Sequence, residues 1–97
     1  MSRFDTIKVA AGTRVSLPCR TDINATVFWG YYSADKGEVF HISVNGRILN
    51  GYVDAFEIQQ TTLIISKVNV SQSGLYTCIA DDGAGEKLLT FLSVIGG

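Results

Sequence analysis

Apolar side chains recur at every second position along much of the chain, in short runs broken by glycine, asparagine and other turn residues. That period belongs to strands. Within 13–20 the alternating set is Val15, Leu17 and Cys19; within 62–68 it is Leu63 and Ile65. Within 26–32 one parity carries Val27, Trp29 and Tyr31, and the other carries Phe28, Gly30 and Tyr32. The pattern predicts strands over 4–10, 13–20, 26–32, 38–44, 47–49, 53–58, 62–68, 75–80 and 87–94. Turns are expected at Ala11-Gly12, 33–37, Asn45-Gly46, Asn50-Gly51, 69–73 and 81–85, with Asn-Gly the strongest hairpin signal among them. With no internal repeat, linker or low-complexity run, residues 1–97 read as one all-β domain.

One constellation organises these segments: Cys19, the lone Trp29 and the run Gly74-Leu75-Tyr76-Thr77-Cys78. Tyr76 precedes Cys78 by two residues, so on a strand both point to one face, and Gly74 marks a tight entry. These residues resemble the immunoglobulin superfamily, with Cys on strand B, Trp on strand C and Gly-x-Tyr-x-Cys leading into strand F. The resemblance implies a Greek-key β-sandwich with an inter-sheet Cys19–Cys78 disulfide and with Trp29 and the corner tyrosine Tyr76 in the core. The two extra strands expected between Trp29 and 53–58 resemble the variable type. The run from Cys78 to Glu86 looks like the short F–G hairpin of intermediate-set adhesion domains, and Gly83-Ala84-Gly85 is similar to the Gly-x-Gly of a joining segment, with Asp82 where the aromatic usually stands. Two departures concern the family's Asp–Arg pair at the sandwich bottom. Gln72 stands for the Asp, and no Arg lies near Asp54-Ala55-Phe56, so Gln72 is expected to hydrogen-bond backbone instead.

A formal charge of −1 offers nothing to nucleic acid or to an anionic membrane surface. Two cysteines and one histidine argue against a metal site, and no cofactor is implied. Enzymatic chemistry has little to use: His41 has no partner in view, and the adjacent Asp81 and Asp82 diverge on an extended chain. If Cys19 and Cys78 pair, the bridge contributes about 4 kcal/mol and requires an oxidising compartment. Asn24-Ala25-Thr26 and Asn69-Val70-Ser71 are N-glycosylation acceptor patterns, which together with the bridge point to a secreted or cell-surface protein. Met1-Ser2-Arg3-Phe4 opens no signal peptide and no apolar run is long enough to span a bilayer, so the chain reads as an excised ectodomain given a start methionine.

Function is expected on the outward face of strands G (87–94), F (75–80), C (26–32) and C′ (38–44). With Trp29, Tyr76 and Cys78 inward, the opposite parity presents Phe28, Gly30 and Tyr32 on C, and Leu75, Thr77 and Ile79 on F. The family's closing pattern on G adds Leu89, Phe91 and Ser93. On C′ the turn leaves two registers open, one exposing Phe40 and Ile42 and the other Val39 and His41; Phe40 is taken as the candidate. The candidate interface is therefore Phe28, Gly30, Tyr32, Phe40, Thr77, Ile79, Leu89 and Phe91, an apolar sheet with a bare mid-strand glycine. V-type domains commonly pair through this sheet, so the resemblance implies an adhesion or immune-type receptor domain that forms a homodimer or pairs with another V-type domain. Two other readings stand beside it. One is glycan or antigen recognition by the loops at 21–25, 45–50 and 81–85, and the other is a structural domain in an intracellular muscle-type array.

Overall fold

The structure, a computed structural model, describes residues 2–19, 26–33, 37–44, 47–51, 53–81 and 87–96. Among the described residues nine strands form where the alternation places them: β1 (Ser2–Ala10), β2 (Val15–Leu17), β3 (Thr26–Ser33), β4 (Glu38–Val44), β5 (Arg47–Ile48), β6 (Phe56–Gln59), β7 (Thr62–Ile65), β8 (Gly74–Asp81) and β9 (Lys87–Ile95). They make a six-stranded sheet, in the order β1-β9-β8-β3-β4-β5, and a three-stranded sheet, β2-β7-β6. The unequal division follows from β1, which pairs in parallel with β9 along its whole length, from Ser2 opposite Lys87 to Ala10 opposite Ile95. No proline or glycine interrupts 2–10, so nothing breaks the strand to let part of it cross to β2.

Cys19 and Cys78 are bonded, with their Cα atoms 5.9 Å apart and 59 residues between them in sequence. Trp29, Leu17, Ile42, Leu63, Cys78 and Leu92 are fully buried around the bridge. The indole is satisfied as well as packed. Trp29 Nε1 donates to the Thr61 carbonyl at 3.1 Å, and Thr61 Oγ1 in turn donates to the Cys19 carbonyl at 3.1 Å. This chain of bonds holds the turn between β6 and β7, where Gln60 takes a left-handed φ of 58° without being glycine.

Strands β2, β6 and β7 depart from the expected bounds. The expected strand over 62–68 ends at Ile65, yet Val68 stays buried because its backbone bonds elsewhere: its N–H donates to Thr13 O at 3.0 Å and its carbonyl accepts from Gly12 N at 2.6 Å. Those bonds also take Thr13 out of the expected strand over 13–20, which shortens to Val15–Leu17. Residues 53–55 form a turn, so the strand expected over 53–58 starts at Phe56.

The corner before β8 is a single 3-10 turn, Val70–Gln72, capped by Asn69. The Asn69 side chain accepts from Ser71 N at 2.9 Å and from the Ser71 hydroxyl, while Asn69 N donates to Gln72 Oε1 at 2.9 Å. Gln72 thus bonds backbone, as expected. Tyr76 donates to Gln72 O at 2.7 Å, and Tyr31 donates to Ser73 O at 2.8 Å, their rings meeting at 5.1 Å. Gly74 is required here: its φ is +146°, and a Cβ would lie 2.6 Å from the Tyr31 ring.

Thr90 is fully buried opposite Tyr76, and its hydroxyl has no partner among the described residues. Leaving such a group dry and unbonded costs about 1–3 kcal/mol. Thr90→Val keeps the shape and the strand preference, and is expected to raise the unfolding free energy by about 1 kcal/mol in urea titrations. A second expectation concerns alkali. Burial, followed by the neighbouring Tyr31 phenol, pushes the Tyr76 phenol well above its usual range. The folded state therefore holds this proton more tightly than the unfolded chain, so the contribution is complete below about pH 10 and is lost as pH rises further. Denaturant unfolding between pH 8 and 11 should show a steeper loss for the natural sequence than for Tyr76→Phe.

Candidate protein-interaction face

The register of the six-stranded sheet fixes what lies on its outward side, because residues directly opposite one another share a face. One row runs Thr6, Phe91, Leu75, Tyr32, Val39 across β1, β9, β8, β3 and β4; a second runs Phe4, Leu89, Thr77, Gly30, His41. A third holds Ile79, Phe28, Val44 and Arg47 on β8, β3, β4 and β5. Phe4, Val39, Phe91, Ile79 and Tyr32 are 63, 51, 42, 39 and 39% exposed, values high enough to leave large apolar area in water on adjacent strands.

Seven of the eight residues expected on this face lie in these rows: Phe28, Gly30, Tyr32, Thr77, Ile79, Leu89 and Phe91. Phe40 does not. It stands opposite Tyr31, whose ring packs on the core and against Tyr76, so Phe40 has the inward parity and is half-buried. The register of β4 places Val39 and His41 outward instead. The cause is a bulge in the β3–β4 pairing between Trp29 and Gly30: Trp29 faces Ser43 while Gly30 faces His41, leaving Ile42 as the extra residue. Ile42 and Ser43 are both buried, and Ser43 Oγ accepts from Trp29 N at 3.3 Å. Val44, three residues beyond His41 and so of inward parity in an unbroken strand, is brought outward opposite Phe28 by the same irregularity.

The bulge and the bare glycine also shape the face. A hollow of about 140 Å³ lies over Gly30, walled by Phe28, Val39, His41, Thr77 and Ile79. A Cβ on Gly30 would stand 3.1 Å from Val39 Cγ1. By register the third row continues to Lys87 on β9, opposite Ile79; among the described side chains of the three rows the ionisable ones are Arg47, at the β5 edge, His41 and the Tyr32 phenol, none of them a carboxylate. The arrangement is an apolar field with a depression at its centre and the Arg47 cation at the β5 rim.

A second hollow, about 170 Å³, opens between the sheets at the corner, lined by Tyr31, Ile42, Phe56, Ser71, Gln72 and Tyr76. It lies where the family's Asp–Arg pair is expected. Gln72 is turned back to the Asn69 N–H and brings no charge into it. Of the glycosylation candidates, Asn69 is exposed at this corner, away from the three rows, whereas Asn24 lies outside the described residues. Outside them too are 21–25, 45–46 and 82–86, which hold most of the candidate recognition loops and the short hairpin before β9.

Comparison with solved structures gives the same architecture. The crystal structure of the ZIG-8 IG1 homodimer superposes with a TM-score of 0.78 at 15% identity, over 98% of this chain and 82% of that one. The ZIG-8–RIG-5 IG1–IG1 heterodimer gives 0.72 at 15% identity, over 94% and 82%. The N-terminal four Ig domains of Dscam1 isoform 6.9 give 0.74 at 23% identity, over 97% of this chain and 23% of that one, so the chain spans about a quarter of the Dscam1 fragment. At such identities the likeness shows the fold. Residues 5–91 match the immunoglobulin V-set domain. With that match, the six- and three-stranded sheets and the Cys19–Cys78 bridge around Trp29, the chain belongs to the immunoglobulin V-set family.

Proposed function

We propose that this V-set domain is a non-enzymatic protein-recognition module from the extracellular part of an adhesion or immune-type receptor, and that it pairs with a second copy through the outward face of β9, β8, β3 and β4. The contiguous apolar rows around the Gly30 hollow carry the reading. Three rows across five strands cover roughly 20 by 24 Å, from the usual spacings within and between strands. Two copies then cover on the order of 1,000 Å² in projection, the lower bound for a specific interface. Two structural neighbours, an IG1 homodimer and an IG1–IG1 heterodimer, support pairing as a use of this fold. The disulfide supports an extracellular site, since such bridges persist in oxidising compartments.

Asn69 is proposed to carry a glycan. Its Oδ1 makes the capping bonds, its side chain is exposed, and its corner lies off the pairing face, so a sugar there leaves the face open. In protein secreted from eukaryotic cells, Asn69→Asp is expected to remove one glycan mass while preserving the cap; an unchanged intact mass would count against occupancy.

Sedimentation equilibrium tests the pairing. The natural sequence should show a monomer–dimer equilibrium, and Phe28→Asp or Phe91→Asp should weaken it at least tenfold, because each buries a carboxylate in an apolar centre. Glu57→Lys, on exposed β6 of the other sheet, should leave it unchanged. A strict monomer at high concentration, or dimers indifferent to both aspartates, would overturn the face.

A further inference from the structure

β1 stands at one end of the six-stranded sheet and, among the described residues, pairs only with β9. In a parallel ladder alternate residues turn both N–H and C=O to the neighbour, and the residues between them turn both away. Ala11 N donates to Ile95 O at 2.9 Å, which fixes the phase, since Ala10 is the residue opposite Ile95. The odd-numbered residues of β1 therefore bond β9, and Phe4, Thr6 and Lys8 direct their backbone groups to the open side. Beyond them the Ala10 carbonyl accepts from the Thr13 hydroxyl at 2.7 Å, which closes the row.

Sheets guard such an edge by shortness, proline or a bulge. At the far end of this sheet β5 is only two residues long, whereas β1 has nine, no proline and an unbroken register. We propose that this rim pairs antiparallel with the β1 rim of a second copy, joining two six-stranded sheets edge to edge. The contact is separate from the outward face proposed above, because backbone groups at the side of the sheet make it.

A second copy suits the rim because β1 is complementary to itself about its midpoint. With a two-fold axis at Thr6, Thr6 meets Thr6 and each Phe4 meets a Lys8; these pairs exchange about six backbone bonds. The axis keeps outward residues on one side across the seam. Each exposed Lys8 ammonium then lies beside a Phe4 ring that is 63% exposed in the single copy. Lys8, the one charge of that parity among the described side chains and the strand's one deterrent to pairing, becomes a contact. Asp5 comes opposite Ile7, whereas an axis at Asp5 or Lys8 would set that charge against itself, and an axis nearer either end would shorten the ladder. An arbitrary extended peptide offers the backbone bonds without the reciprocal Lys8–Phe4 pairs. Built mainly on backbone bonds, the edge is the weaker contact and engages above the concentrations at which the faces pair.

Thr6→Cys tests the register. Cys19 and Cys78 are bonded to each other, so the new thiol is the only one. Opposite residues of a hydrogen-bonded pair have Cα atoms about 5.5 Å apart, within the span of a disulfide, and in this register neither Phe4 nor Lys8 meets its own copy. With diamide as oxidant, in a Phe28→Asp background that removes the face pairing, Thr6→Cys should form covalent dimer at least about tenfold faster than Phe4→Cys or Lys8→Cys. Equal rates, or an advantage seen only with Phe28 intact, would overturn the edge and leave the face standing. Thr6→Pro removes an N–H that β9 does not use, so circular dichroism should show the fold intact while the rim can no longer zip. In sedimentation equilibrium at high concentration, Phe28→Asp should keep a residual dimer that Thr6→Pro weakens at least about tenfold. A residual dimer indifferent to the proline, or none at all, would likewise overturn the edge; if Thr6→Pro does not fold, the cross-linking rates decide. A natural dimer that Phe28→Asp leaves unchanged and Thr6→Pro dissolves would uphold the edge and overturn the face.

Discussion

Burying one indole between two sheets, with its N–H satisfied, is the constraint on which the remaining structure depends. Trp29 reaches the Thr61 carbonyl, Thr61 reaches the Cys19 carbonyl, and Cys19 is bonded to Cys78, next to which Trp29 lies on the neighbouring strand. The loop of bonds closes on itself through both sheets. An indole of this size without a partner for its nitrogen would cost a large part of the stability of so small a domain. With the partner in place, the parity of β3 and β8 is fixed, and so is every outward residue on the two central strands.

That parity was legible in the sequence, and it placed seven of eight face residues on the correct side. Where the reading fell short, tertiary contacts overrode local pattern. Phe40 was misplaced because the bulge at Trp29 and Gly30 inserts one residue, Ile42, and the amphipathic run Val39-Phe40-His41-Ile42 fits either register equally well. The tight turn at Gln60-Thr61 carries no glycine or asparagine, because the bonds to Trp29 and Cys19 hold it from outside. The cap at the corner was within reach: Asn69 followed three residues later by Gln72 is the spacing of a capping box, obscured by reading Asn69 only as a glycan acceptor. No periodicity could say that β1 runs wholly beside β9, since its alternation serves either sheet.

The bulge joins core and surface. By turning both Ile42 and Ser43 inward it fills space beside Trp29, and it realigns β4 so that His41 comes opposite Gly30. A glycine facing a small strand neighbour, Thr77, on one side and an imidazole on the other leaves a depression in what would otherwise be a flat apolar sheet. The same irregularity that completes the interior therefore gives the exterior its shape.

The parallel pairing of β1 with β9 bears on how the fold carries force. Ser2 and Ile95 lie at opposite ends of a ladder nine residues long. Tension applied along the chain at these two points loads the whole ladder in shear, so its bonds share the pull and must yield together, whereas a hairpin pulled at its open end peels one bond at a time. Behind that ladder the Cys19–Cys78 bond ties off the chain between the two cysteines, so that segment cannot be drawn out even after β1 and β9 part. A domain built this way keeps its central strands assembled under load, the condition under which an adhesive surface on those strands would have to work.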